Sequence, residues 1–148
     1  MSKARAISYD TTEHVRGRCL CLQTQRTARA LARRFDAALG PLDLTNGQFS
    51  LMMSLNRPQP AGMGDVAALL AMDRTTLTAA LKPLQRRGLV TVTPDEKDRR
   101  SRRLNLTRAG MALLKRALPT WRREHAALDR LLAGKDPGDL RTALRSLS

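Results

Sequence analysis

After Gly88 the spacing of apolar residues in this 148-residue chain changes abruptly, and that change limits the folds open to it. Upstream, in RTTLTAALKPLQRRG, Leu77, Leu81 and Leu84 recur at the three- and four-residue spacing of one helix face. Downstream, in LVTVT, Val90 and Val92 alternate with Thr91 and Thr93, and in RRLNLT Leu104 and Leu106 flank Asn105, the period of strands. PDEKDRRS between them is polar and turn-forming, so the two strands read as a hairpin with a long tip. Ahead of the leucine-bearing helix, Val66, Ala67, Leu69 and Leu70 predict a short apolar helix, and Met72 and Asp73 a brief turn; Gly88 is the C-cap of the second helix. Helix, tight turn, helix and basic-tipped hairpin, in that order, are the parts of a winged helix-turn-helix.

Longer helices flank this lobe. From about residue 12 to 39, Ala28, Leu31, Ala32, Phe35, Ala38 and Leu39 recur three or four apart with Arg26, Arg29, Arg33 and Arg34 between them, predicting one long amphipathic helix ended by Gly40 and Pro41. Thr45 is a good N-cap for the next helix, in which Phe49, Met52, Met53 and Leu55 supply buried positions, and RPQPAGMG (57–64) reads as a break. Thr107 caps a helix from Arg108 to about Leu132 carrying Leu113, Leu114, Ala117, Leu118, Trp121, Leu128 and Leu132, which Pro119 should bend or interrupt. After AGKDPG, Leu140, Ala143, Leu144 and Leu147 mark a last short helix. The expectation is one domain, residues 1–148, mainly α with a small β-wing. Its winged helix-turn-helix lobe occupies about 45–107, between dimerisation helices at about 12–40 and 108–147. The dimer follows because the terminal helices carry more apolar positions than so small a lobe can cover. Packing of those helices on each other within one chain is the alternative.

Charge names the partner. Against 13 Asp+Glu stand 27 Lys+Arg, a formal net charge of +14, and the cations are mostly arginine, whose planar fork suits phosphate and guanine edges. Four aromatics, Tyr9, Phe35, Phe49 and Trp121, are too few for base-stacking on single strands or for a membrane-surface helix. Double-stranded DNA is therefore the leading partner. No apolar run approaches the about 18 residues of a membrane span, and MSKARAISYDTTEH lacks the apolar stretch of a secretory leader, so the expected location is cytoplasmic. Cys19 and Cys21, with His14 and His125 far apart, form no spaced ligand set, so neither a metal nor a cofactor is expected. Paired carboxylates, a nucleophile–base set and a phosphate-binding glycine loop are all missing, which disfavours an enzyme.

With the three leucines turned inward, Arg74, Thr75, Thr76, Thr78, Ala79, Lys82, Gln85 and Arg86 form the outer face of the second helix. Small hydroxyl-bearing residues allow close approach to base edges, while the cations reach phosphates or bases. At the hairpin tip Arg99, Arg100, Arg102 and Arg103 sit among Asp95, Glu96 and Asp98; an arginine there can enter the minor groove while a nearby aspartate holds its guanidinium. Each segment alone also reads as a solvated face or turn, and their succession decides between the readings.

DRRSRRLNLTRAG, with Asp98, Arg100, Leu106, Thr107 and Gly110, is similar to the wing signature of MarR-type bacterial transcription regulators. DRTTLTAALKPLQRRGLV (73–90) resembles that family's recognition helix, and LDLTNGQFSLMMSL (42–55) its second helix, the likeness spanning about Cys21 to Leu147. The resemblance implies a homodimer on a pseudo-palindromic operator, typically a repressor. Thr75, Thr76 and Thr78 would face bases, Arg74, Lys82 and Arg86 phosphates or bases, and Arg100 the minor groove, with Arg99 and Arg102 beside it and Asp98 stabilising the wing. A non-specific architectural nucleic-acid-binding protein is the alternative.

Two signals are compatible with that family. Cys21 precedes Thr45 by the spacing at which the organic-hydroperoxide-sensing branch resembles this chain and carries its reactive thiol, and Arg16, Arg18 and Arg26 would favour a thiolate. That branch bonds its cysteine with tyrosines, whereas Phe35 and Asn46 stand at the comparable positions here; a buried, inert cysteine is the other reading. Cys19 and Cys21, two apart on one helix, would point to different sides and not bridge. Alternatively a small aromatic or phenolic ligand, held by nearby arginines, would enter a crevice lined by Trp121, Phe49, Met52 and Met53, residues that read equally well as plain core.

Overall fold

The computed structural model describes residues 6–148; residues 1–5, part of the stretch read above for a leader, lie outside the described residues. The chain divides into two compact units, one ending at Arg34 and the other running from Phe35 to Ser148.

The first unit holds α1 (Tyr9–Arg18) and most of α2 (Leu20–Leu39), so the single long helix read from the sequence is two. Cys19 divides them. Its backbone is extended, its N–H closes α1 on the Val15 carbonyl at 2.8 Å, and its Sγ accepts the Leu22 N–H at 3.4 Å to open α2. A thiol thus takes the place that serine or threonine usually fills at a helix start, satisfying a backbone donor that would otherwise lack a partner. Gln23 reaches back from α2 to the Arg16 carbonyl at 3.3 Å.

In the second unit, α2 buries Phe35 and Leu39 and stops at a 3-10 turn, Gly40–Leu42, that includes Pro41. Helix α3 (Asn46–Ser54) opens on a reciprocal cap: Thr45 Oγ1 accepts the Gln48 N–H and Gln48 Oε1 accepts the Thr45 N–H, both at 3.1 Å. Of the positions expected to be buried there, Met53 is 37% exposed; Phe49, Met52 and Leu55 are in the core.

A short strand, β1 (Ala61–Gly62), lies inside the segment read as a break, and α4 (Met63–Leu69) follows it. Ala71, in the left-handed conformation at φ 52, turns the chain into α5 (Arg74–Arg86). Asp73 caps α5 by accepting the Thr76 N–H at 2.7 Å. At its far end Gly88, at φ 68, lets its own N–H reach the Gln85 carbonyl and that of Leu89 reach Leu84, a pairing that stops the helix sharply. Pro83 sits inside α5 without ending it. An interior proline costs about 3 kcal/mol, but Leu77, Leu81 and Leu84 are almost wholly buried, at roughly 1.5–3 kcal/mol each. The same balance holds in α6 (Arg108–Leu131), which runs on through Pro119 with Leu113, Leu114 and Ala117 buried before it; the expected interruption does not occur.

Strands β2 (Val90–Pro94) and β3 (Arg102–Leu106) form the wing hairpin, and β1 adds to the other edge of β3, giving the antiparallel order β1-β3-β2. Leu104, fully buried, faces Val92 across one ladder and Ala61 across the other. The wing's ends are fastened where α6 begins: Thr107 donates its hydroxyl to the Gly88 carbonyl at 2.7 Å and its N–H to that of Leu89 at 3.0 Å. Gly110 has no substitute there, because any side chain would strike the Leu89 carbonyl and Leu106. After a turn at Gly134 the chain ends in α7 (Pro137–Ser146), capped by Asp136 and with no buried residue. No helix among the described residues is long and apolar enough to cross a membrane.

Candidate nucleic-acid interface

The inward leucines of α5 leave Arg74, Thr75, Thr76, Thr78, Lys82 and Arg86 exposed. The three hydroxyls are not equivalent. Thr76 donates to Asp73 Oδ2 at 3.0 Å and Thr78 to the Arg74 carbonyl at 2.8 Å, whereas the Thr75 hydroxyl has no partner among the described residues. The Thr76 N–H and hydroxyl together hold the Asp73 carboxyl below the ordinary carboxylate pKa, so the cap stays charged at neutral pH. At the other end of α5, Arg87 clamps the helix to the turn after α2, its Nη1 donating to the Asp43 carbonyl at 2.5 Å.

The wing tip is built on two aspartates. Asp98 accepts the Arg100 N–H and the Ser101 hydroxyl, both at 3.1 Å, and so shapes the turn rather than holding a guanidinium. That second task falls to Asp95, whose Oδ2 accepts Arg103 Nε at 2.8 Å while its Oδ1 accepts the Lys97 N–H at 2.9 Å. The Lys97 amide first, and then Arg103, keep the Asp95 carboxyl below its ordinary pKa. Arg99, Arg100 and Arg102 remain exposed.

Tip and helix share one hollow of about 440 Å³, lined by Gly62–Asp65, Arg74, Thr78, Asp95 and 100–103. The structure thus brings Arg74, Thr78, Arg100 and Arg102 together from α5 and the wing. Thr75, Thr76, Lys82, Arg86 and Arg99 stand outside the hollow. Sequence reasoning missed the start of α4 as a wall of this hollow and Asp95 as the guanidinium's partner. Neither left a signal, since a two-residue strand has no period and three acidic residues faced several cations in one short run.

Away from this face, Phe49, Ser50, Met53, Ser54, Leu69, Leu70 and Trp121 line a cavity of about 370 Å³. Trp121 stacks on Phe49 at 6.3 Å between ring centroids and touches His125 at 4.2 Å, and His125 in turn lies 4.9 Å from Phe35. Met52 belongs to the core instead, and no arginine among the described residues lines the cavity, contrary to the arginine-held ligand expected from the sequence. Cys19 is half-buried at the helix junction and Cys21 is exposed, so the one-helix geometry assumed for the pair does not apply.

Helix, turn, helix and three-stranded wing, with arginines gathered between them, define a winged helix-turn-helix of the kind that binds DNA. The profile of the MarR family matches residues 44–101. Over 111 residues the chain is 32% identical to the transcriptional repressor NicR of Pseudomonas putida, covering 75% of this chain and 67% of that one. It is 40% identical over 70 residues to the transcriptional activatory protein BadR of Rhodopseudomonas palustris, a stretch that spans 45% of this chain but only 40% of BadR. The M. tuberculosis regulator MosR, solved in complex with DNA, superposes with a TM-score of 0.79 at 36% identity, over 87% of this chain and 92% of that one. The chain belongs to the MarR family of transcriptional regulators.

Proposed function

We propose that two copies of this chain bind a pseudo-palindromic operator as a cytoplasmic transcriptional regulator, typically a repressor, released by a small molecule or an oxidant. The carrying observation is the hollow in which Arg74 and Thr78 of α5 meet Arg100 and Arg102 of the wing. A duplex seated there offers its major groove to α5 and its backbone or minor groove to the wing in one approach. Among the hydroxyls, that of Thr75 has no partner among the described residues and suits a base edge, whereas those of Thr76 and Thr78 are held by Asp73 and the Arg74 carbonyl. Lys82, Arg86 and Arg99 extend the cationic surface along the backbone. Helices within about 12–40 and 108–147 supply the dimer surface, setting two recognition helices roughly 34 Å apart, one duplex turn. One relative is a repressor and another an activatory protein, which leaves both signs of regulation within the family.

For the signal, the cavity between α3, α4 and α6 favours a small aromatic or phenolic compound, because its walls are largely apolar and two rings stand in it. Leu69 and Leu70 close it just before the turn into α5, so a ligand there would bias the recognition helix through differential affinity. Cys21, exposed on α2, is the oxidant's target in the second version. The test is binding to a promoter fragment against random duplex at ~0.15 M salt. Tighter binding to the promoter is expected, weakened throughout by Arg100→Ala and altered in sequence preference by Thr76→Ala. Equal binding to both duplexes would leave the architectural reading instead. Identical release of wild type and Cys21→Ser by peroxide would remove Cys21 from the mechanism.

A further inference from the structure

Backbone hydrogen bonds close the wing tip on itself: the Asp95 N–H donates to the Ser101 carbonyl and the Ser101 N–H to that of Asp98, both at 2.9 Å. Neither bond ties the tip to the helices. The strand that joins the hairpin to the rest of the lobe, β1, pairs with β3 through two residues, Ala61 with Leu104 and Gly62 with Arg103. Arg103 is also opposite Thr93 of β2, so it stands in the middle strand where both ladders meet. Its side chain extends that role, with Nε on Asp95 at 2.8 Å and Nη1 on the Pro60 carbonyl at 3.2 Å. One planar fork therefore joins the entrance of the tip to the segment leading into the helix-turn-helix.

Resting on the operator reading, we infer that Arg103 is the positioning residue of the wing: it spans Asp95 and Pro60 to set the angle at which the tip arginines meet DNA. Two of its donor groups are already committed within the protein, whereas the side chains of the exposed Arg99, Arg100 and Arg102 have no partner among the described residues. Asp95 is the less exposed partner, its side chain 13% accessible against 40% for Arg103. The Lys97 amide and Arg103 keep that carboxylate ionised at any pH suited to DNA binding. Partly exposed ion pairs of this kind contribute little to stability, so orientation is what the pair supplies.

The inference makes a prediction opposite in sign to simple charge counting. Deleting a carboxylate beside a polyanion should tighten binding if charge alone matters. Asp95→Asn, which keeps an acceptor for Lys97, should instead weaken operator binding on the order of five-fold, the scale of coupling between contacting residues. Arg103→Ala should do the same with the salt dependence unchanged, Arg103→Lys should not restore binding, and the double variant should be no weaker than either single one. The full-length protein, an operator fragment and a random duplex, titrated by anisotropy at several salt concentrations, provide the readout, with thermal melting confirming an intact lobe. Unchanged or tighter binding by Asp95→Asn overturns the inference. So does a fall of about one in the salt slope for Arg103→Ala, the mark of a lost phosphate contact. If Arg103→Ala does not fold, Asp95→Asn decides alone. A wild type that binds neither duplex overturns the operator reading itself, and this proposal with it.

Discussion

Helices α5 and α7 are built to the same plan and end differently. Each is capped by an aspartate, carries arginine near its end and sets leucines along one face. In α5 those leucines, Leu77, Leu81 and Leu84, are at most 2% exposed; in α7 and just beyond it, Leu140, Leu144 and Leu147 are 44–66% exposed. Among the described contacts α7 is tied to α6 by an ion pair, Arg141 with Asp129 at 2.6 Å, where α5 is seated in a core. The amphipathic pattern therefore specifies that a helix will cover something, and only the surrounding chain determines what. For α5 the cover lies in its own lobe. For α7 a second copy is the proposed cover.

The sharpest way to break this contrast is to empty the seat of α5. Leu81→Ala should lower the unfolding free energy by about 2–5 kcal/mol, read from the denaturant midpoint; a cost under about 1 kcal/mol would deny α5 its core anchor. Next comes Leu144→Arg, expected to leave the melting of the lobe intact while sedimentation shifts to monomer and operator affinity falls on the order of 100-fold as two half-sites become independent. A dimer that survives this change would place the contact elsewhere. The smallest effect concerns His125, packed between Phe35 and Trp121 one turn before Asp129. Burial, and then Arg141, draw its pKa below 6.5, with Asp129 opposing, so the folded state prefers the neutral ring. Its stabilisation is complete above that value and is lost as pH falls through the lowered pKa. Melting temperatures from pH 7 to pH 5 should fall more steeply for wild type than for His125→Gln; parallel slopes would contradict the packing account.

What the sequence disclosed follows the same division. The switch of period after Gly88 located α5 and the wing, and the capping residues Thr45 and Thr107 stand at helix starts, because caps and period are local properties; Asp73, read as part of a turn, proves to cap α5. The break at Cys19 was illegible, since no propensity marks a thiol as a helix cap and the apolar spacing runs on past it. The course through Pro83 and Pro119 was undecided locally, being settled by leucines whose burial is a tertiary fact. At the interface the exposed face of α5 was readable from its leucines. The pairing of Arg103 with Asp95 rather than Arg100 with Asp98 depends on the turn's geometry, which composition does not carry.

Thr107, bonded to Gly88 and Leu89, closes the hairpin at its root, and Gly110 lets α6 press against the same spot. The protruding arm is therefore fastened at its root by Thr107 and along its length by β1 and Arg103. Changes confined to the turn between Asp95 and Arg102 leave those fastenings untouched, so the outermost part of the arm is open to exchange without rebuilding the body that carries it.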